Sequence, residues 1–281
     1  MVSFREILYP AITLERFKAL RESDDAKRIC FGSIHRNALK RGDGARSAGW
    51  FNVPFAETIS SVFPWRLFRN TKGQFGGYYR VVSDDQEFGE ISQWLTENAD
   101  VVFIRSLFST AVAACEHYVT SDKRSRIGEL EHSAKYENDS AAVSELVDVL
   151  EGIYRRMHDK RRIDALASIP PSTPGQQSLP NLLAARLAER LGVPDLTGRL
   201  RWNGPKPSIK ELSVDEKWAA LEGVGLTVDD AFAGKNVLLI DDMYQSGSTA
   251  HFVGGEIRGA GANDLHLLAV SKGRRDTDNR K

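Results

Sequence analysis

The residues best suited to chemistry stand together at positions 237–249, which read V-L-L-I-D-D-M-Y-Q-S-G-S-T. Four apolar residues predict a buried strand, and Asp241 and Asp242 fall where that strand leaves its sheet. A small, hydroxyl-rich loop follows, from Gln245 and Ser246 through Gly247, Ser248 and Thr249, and opens a helix. The carboxyl end of a parallel strand is where α/β folds bind ligands. Loop amides and a helix N-terminus favour a phosphate, with Ser246, Ser248 and Thr249 as further hydroxyl donors. The two carboxylates cannot help to hold that phosphate, but they accept hydrogen bonds from sugar hydroxyls beside it. The pattern therefore asks for a sugar phosphate.

Other readings share the apolar run and the paired acids: a Walker-B-like NTPase strand, or two chance carboxylates at a strand end. The chain has no GxxxxGK[ST] loop to hold nucleotide phosphates. A haloacid-dehalogenase pattern would need Asp where Met243 stands.

The elements around the segment have an α/β rhythm. Residues 140–158 predict a helix with Val143, Leu146, Val147, Leu150, Ile153 and Met157 on one stripe. Residues 163–169 read as a strand ended by Pro170 and Pro171, and 179–191 as a helix closed by Gly192. Residues 249–258 predict a helix and 265–270 a strand. The 45 residues between Leu191 and Val237 lack such regularity, as functional or flexible loops do. Strands alternating with helices imply an α/β fold with a mostly parallel sheet and flanking helices, preceded by an N-terminal α+β region. In that region 14–28 and 85–97 read as helices, and 30–34, 50–53, 77–82 and 101–104 as strands. Turns are expected at 42–44 and 72–74, and a helix over 111–118. A polar break at 121–126 suggests two parts, 1–125 and 126–281.

At 281 residues, 41% hydrophobic and 27% charged, the chain is long enough for a substantial core. Its net charge is zero, yet residues 1–80 carry 14 Lys and Arg against 7 Asp and Glu. A basic first third suits an anionic partner or an ordinary basic surface. Isolated Cys30 and Cys115 form no framework and suit a reducing cytoplasm. The first twelve residues lack the pattern of a signal peptide, and no apolar run is long enough to span a membrane. The six histidines show no metal-ligand spacing.

The segment at 237–249 resembles the diphosphoribosyl-binding (PRPP) signature of type I phosphoribosyltransferases, an apolar run followed by D-D-x-x-T-T-G-x-T. The resemblance is closest to the competence-protein F (ComF) branch and runs from about 163 to 275. That branch has a strand ending in a V-P-V-P-like element, matched here by Ser168-Ile169-Pro170-Pro171-Ser172. An N-Q-S-x-x-L-A helix follows, matched by residues 176–184, then a basic stretch matched from Arg199 to Lys217. A final G-K, here Gly234-Lys235, leads into the signature strand.

By that resemblance Asp241 and Asp242 contact the ribose 2′- and 3′-hydroxyls, and residues 245–249 wrap the 5′-phosphate. Pro170, Pro171 and Ser172 open the pyrophosphate loop. Arg201, Lys206 and Lys210 belong to a loop that closes over the site, unless that stretch is a solvated basic loop. Mg²⁺ would accompany PRPP, without direct protein ligands except Asp241 and Asp242. The implied activity is transfer of a phosphoribosyl group with release of pyrophosphate. A pocket without turnover, sensing PRPP or a nucleotide in competence, repair or antiviral defence, is the alternative. Two departures bear on the choice. The loop at 171–178 has no Arg or Lys, and Gln245 and Ser246 replace the two threonines. The ComF zinc-binding cysteines are absent.

The first half resembles no family. Its residues 30–80 interleave cations and rings, including Arg36, Lys40, Arg41, Arg46, Trp50, Phe51, Trp65, Arg66, Phe68, Arg69, Phe75, Tyr78, Tyr79 and Arg80. That composition fits a grip on single-stranded nucleic acid or on a protein partner, and equally a β-rich core whose aromatic residues are buried.

Overall fold

The computed structural model describes residues 8–23, 25–42, 47–70, 77–120, 122–157 and 163–273. A six-stranded sheet forms its centre, in the order β1-β6-β7-β12-β11-β8. These strands are β1 (Arg28–Cys30), β6 (Val102–Ile104), β7 (Thr110–Glu116), β8 (Ala165–Ser168), β11 (Val237–Tyr244) and β12 (Leu265–Lys272). From β7 to β8 every pairing is parallel, whereas β6 runs antiparallel to both its neighbours. The fold is α/β with a mostly parallel sheet. Every residue of β12 is buried, and so are the first four of β11. A strand covered on both faces needs apolar side chains at every step, hence the unbroken run at 237–240.

Alternation along β11 sends Leu238 and Ile240 to one core and Val237 and Leu239 to the other. The first core is closed by α4 (Ser140–Arg156) and α5 (Leu179–Leu191), where Leu146, Leu150, Leu183 and Leu187 are fully buried. Burial of each such leucine contributes about 1.5–3 kcal/mol. The second core is closed by α1 (Leu14–Glu22), α6 (Val214–Val224) and α7 (Ser248–Gly259), through Phe17, Leu221, Phe252 and Ile257. Helix α3 (Arg126–Tyr136) packs against β7 and β12. Its Glu131 is buried, accepting from the Ser271 hydroxyl at 2.5 Å and lying 3.2 Å from His117 Nδ1.

A second, antiparallel sheet, in the order β2-β3-β5-β4, comprises β2 (Leu39–Arg41), β3 (Gly49–Val53), β4 (Phe68–Arg69) and β5 (Tyr78–Val82). Its inner face meets α2 (Asp85–Glu97) through an aromatic cluster. Phe51 stacks on Phe63 at 4.6 Å, and Trp94 meets Phe63 edge-on at 4.9 Å and stacks on Phe103 at 5.9 Å. Phe103 belongs to β6 of the central sheet, so one core serves both sheets.

The helices at 85–97 and 179–191 have the expected limits, and Gly192 closes the latter with φ 66°. Three expectations are corrected. Residues 111–118 were expected to be helical but contribute to β7, because Ala111, Val112, Ala113 and Ala114 are all buried between β6 and β12 and no polar face remains. The stretch 191–237 is ordered, holding β9 (Leu200–Trp202), α6 and β10 (Leu226–Val228), with Ser213 and Glu216 capping α6. The strand expected at 30–34 is instead β1, which ends at Cys30. β7, which lies before residue 125, pairs with β12 along its length. The turn residues 43, 44 and 72–74, with Arg46 and Phe75, lie outside the described residues.

Candidate functional site

β11 stays paired with β12 as far as Tyr244, but its pairing with β8 stops at Ile240 opposite Ser168. The chain after β8 turns away at Ile169, whose N–H still donates to the Ile240 carbonyl at 2.9 Å. Asp241 and Asp242 therefore stand where β11 overruns its neighbour, with one edge open to the space above the sheet. They belong to the strand itself, which runs four residues beyond the apolar segment. Asp242 N–H donates to the Asp241 carboxylate at 3.0 Å, and Met243 N–H to the Asp242 carboxylate at 2.7 Å. Burial, reinforced by the neighbouring Asp242 carboxylate, pushes the Asp241 acid well above the usual carboxylate range. Lys135 reaches over from the last turn of α3, and its ammonium donates to Asp242. Burial draws the Lys135 ammonium down, but the pairing with Asp242 outweighs it and leaves the group raised.

The loop after β11 is shaped by Gly247, which caps α7 with φ 80°. A Cβ there would lie 2.0 Å from the Tyr244 hydroxyl, so both backbone conformation and space demand glycine. Ser246 and Ser248 place their hydroxyls 3.2 Å apart at the mouth of the helix. The exposed amides of the first turn and the helix dipole favour an anion there. Two buried side chains brace this loop. The Lys272 ammonium donates to the carbonyls of Gln245 at 2.9 Å and Gly273 at 3.0 Å. His251 Nε2 accepts from Leu107 N–H at 3.3 Å, so Nδ1 carries the proton and donates to the Gly247 carbonyl at 2.8 Å. Burial holds the His251 pKa down to about 4 and the ring neutral.

Facing this loop are residues 170–172 and the start of α5. Asn181 fixes that corner, accepting from Ser178 N–H at 2.9 Å and donating to the Ser168 hydroxyl at 3.1 Å. Trp202 Nε1–H donates to the Pro170 carbonyl at 3.3 Å and Lys206 N–H to the Ser172 carbonyl at 2.7 Å. The basic stretch is thereby sewn to the loop that lacks cations. Together these segments enclose a cleft of about 660 Å³, lined by Pro170, Pro171, Ser172, Lys206, Lys210, Asp241, Asp242 and residues 245–249. Lys135, Tyr136 and Lys217 line it as well. Burial lowers the Lys206 pKa, against the opposing pull of Asp241 and Asp242. Of the residues expected here, Arg201 is the exception: it is exposed in β9, paired across from Thr227 of β10, and outside the cleft.

A larger cavity of about 730 Å³ lies at the other end of the sheet, beside Thr110 and His266 near the starts of β7 and β12. It has neither the paired carboxylates nor the hydroxyl-rich helix start, and it lies at the end of the strands opposite to that where parallel sheets bind ligands. Sequence reasoning missed Lys135 and Tyr136, which come from a helix 107 positions before Asp242. No local pattern ties them to the carboxylates.

No family model matches the chain, and no curated protein matches it. Among solved structures it is similar to adenine phosphoribosyltransferase from Thermoanaerobacter pseudethanolicus, at 16% identity and a TM-score of 0.32, covering 48% of this chain and 82% of that one. It is similar to adenine phosphoribosyltransferase from Leishmania tarentolae, at 16% identity and a TM-score of 0.33, covering 51% and 76%. It is also similar to UMP synthase of Leishmania donovani, at 18% identity and a TM-score of 0.27, covering 65% of this chain and 30% of that one. At such TM-scores the likeness carries no argument about chemistry, which has to come from the cleft.

Proposed function

We propose that the cleft binds PRPP, or a nucleotide containing ribose 5-phosphate, and that the chain transfers the phosphoribosyl group with release of pyrophosphate. The observation that carries the reading is one convergence. The open edge of β11 presents Asp241 and Asp242 beside the Gly247-capped start of α7, within a single cleft. In this reading the carboxylates accept hydrogen bonds from the ribose diol, and the amides and hydroxyls of residues 246–249 hold the 5-phosphate. Lys135, Lys206, Lys210 and Lys217 supply the cations that the loop at 170–178 lacks. An ammonium is a compact charge that needs no fixed fork geometry to meet a polyphosphate.

The carboxylate oxygens of Asp241 and Asp242 fit a hard cation such as Mg²⁺. Among the described residues no set of three His, Cys, Asp or Glu side chains gathers to hold a metal; in this reading Mg²⁺ would be carried with PRPP, beside Asp241 and Asp242. When bound it neutralises charge on the departing pyrophosphate. The protein's own part is to orient the sugar between the carboxylates and the loop, so that the anomeric carbon faces the acceptor. The lysines stabilise the charge that develops on the leaving group.

Calorimetry with Mg²⁺ and PRPP tests the assignment. The Asp241→Asn/Asp242→Asn variant is expected to bind at least ~100-fold more weakly, from the loss of two charge-assisted hydrogen bonds at about 1.5–3 kcal/mol each. Equal affinity in the double variant would remove the carboxylates from the site.

A further inference from the structure

The four-stranded sheet has a second face that the cleft does not use. Its register sets Lys40, Trp50 and Val81 abreast, and Phe68, Tyr79 and Asn52 abreast in the adjoining row. Side chains directly opposite one another share a face, as do those two residues apart on a strand. The buried alternates Phe51, Val53 and Val82 turn inward to the aromatic core. The outward set stays open to water: Trp50 is 41% exposed, Phe68 44% and Val81 47%. These are three of the seven large hydrophobic residues exposed among the described residues, and they stand on neighbouring strands. Clustering of this kind marks an interaction surface, whereas scattered exposed apolar residues mark nothing.

The charges around the rings indicate the partner. Lys40 is exposed next to Trp50, and the Arg66 guanidinium lies 5.2 Å from the Phe68 ring centroid. Phe68 and Tyr79 are 6.2 Å apart, tilted rather than packed face to face. No carboxylate occupies any of the six paired positions. The core of a protein–protein interface is depleted in charge, while here Lys40 stands abreast of Trp50 and Arg66 lies over Phe68. We infer that this face binds single-stranded nucleic acid, with bases stacking on Trp50, Phe68 and Tyr79 and phosphates meeting Lys40 and Arg66. Among the described residues, the rings of residues 30–80 fall into two groups, Phe51 and Phe63 in the core and Trp50, Phe68 and Tyr79 on the outer face.

The test uses the full chain and a fluorescently labelled 12-nucleotide single strand, as DNA and as RNA, followed by anisotropy across a range of salt. Wild type is expected to bind at low salt, and more tightly than to the matching duplex. Trp50→Ala, Phe68→Ala and Tyr79→Ala should each weaken binding about 5- to 100-fold, the range that loss of one stacked base produces. Lys40→Gln and Arg66→Gln should each reduce the slope of log K against log salt by about 0.7. Thermal unfolding of every variant checks that the fold is kept. Absence of binding at low salt would overturn the inference, as would binding that the ring variants leave unchanged. A concentration-dependent dimer abolished by Trp50→Ala, with no affinity for the oligonucleotide, would overturn it in favour of a protein interface. PRPP binding should be unaffected by Trp50→Ala, so this surface and the cleft succeed or fail separately.

Discussion

Burial shifts Asp241 upward and His251 downward in pKa, and each shift has a measurable consequence. Burial and the neighbouring Asp242 carboxylate hold the Asp241 acid well above the usual carboxylate range, so it gives up its proton at a higher pH than a free carboxylic acid. The ionised carboxylate accepts a stronger hydrogen bond from a ribose hydroxyl than the neutral acid does, so bound sugar favours loss of the proton. Binding of Mg²⁺ and PRPP should therefore release protons. Calorimetry in buffers of different ionisation enthalpy is expected to show this for wild type and not for Asp241→Asn. For His251 the folded pKa of about 4 lies below the ordinary 6.5, so the unfolded chain binds more protons between those values. Stability is complete above about pH 6.5 and falls as pH drops toward 4, by up to about 3 kcal/mol. Denaturant titrations of His251→Gln should show a flatter profile across that window. Asp241, Asp242 and the hydroxyls of 246–249 were legible in the sequence because their chemistry is local. Lys135 was not, since only tertiary packing brings α3 above the sheet. Lys135→Met should weaken PRPP binding about tenfold, the loss of one partly buried charge contact, and calorimetry reads this directly.

At the scale of elements, the turn from β11 into α7 decides whether the site exists. Gly247 has a positive φ and no room for a side chain beside Tyr244. Gly247→Ala is expected to cost at least about 1–2 kcal/mol of stability from the backbone conformation alone, and to abolish binding of ribose 5-phosphate. Urea denaturation and calorimetry on one sample report both. Elements with a clear period or a clear stop were readable from sequence. The stripe Val143, Leu146, Val147, Leu150 placed α4, and Gly192 ended α5. β7 was not readable, because alanine favours helices when considered alone. Its strand conformation is imposed by β6 and β12 on either side. The short β9 and β10 have too few residues for a period, and they hold together by pairing with each other.

Across the whole molecule, the first 125 residues help to build the sheet that carries the site. They supply β1, β6 and β7, and β7 lies directly against β12. A fragment of residues 126–281 would expose the full edge of β12 and the apolar residues beneath α1, Trp218 among them. It should therefore fail to show a cooperative thermal transition or dispersed amide resonances, and a sharp, reversible transition would contradict the continuity of the sheet. The change in composition near 121–126 marked a polar connection, but hydrogen bonding across sequence-distant strands leaves no trace in local composition. Among the described residues no helix is long and apolar enough to cross a membrane.

The central claim is a position: ribose on the carboxylates, phosphate on the helix start. The most direct measurement is a crystal structure of the chain grown with Mg²⁺ and PRPP. The 5-phosphate is expected within hydrogen-bond distance of the amides of residues 246–249 and the 2′- and 3′-hydroxyls on Asp241 and Asp242, with Lys135 released from Asp242. Ligand bound elsewhere, or a phosphate at the helix start with the sugar turned away from both carboxylates, would contradict it.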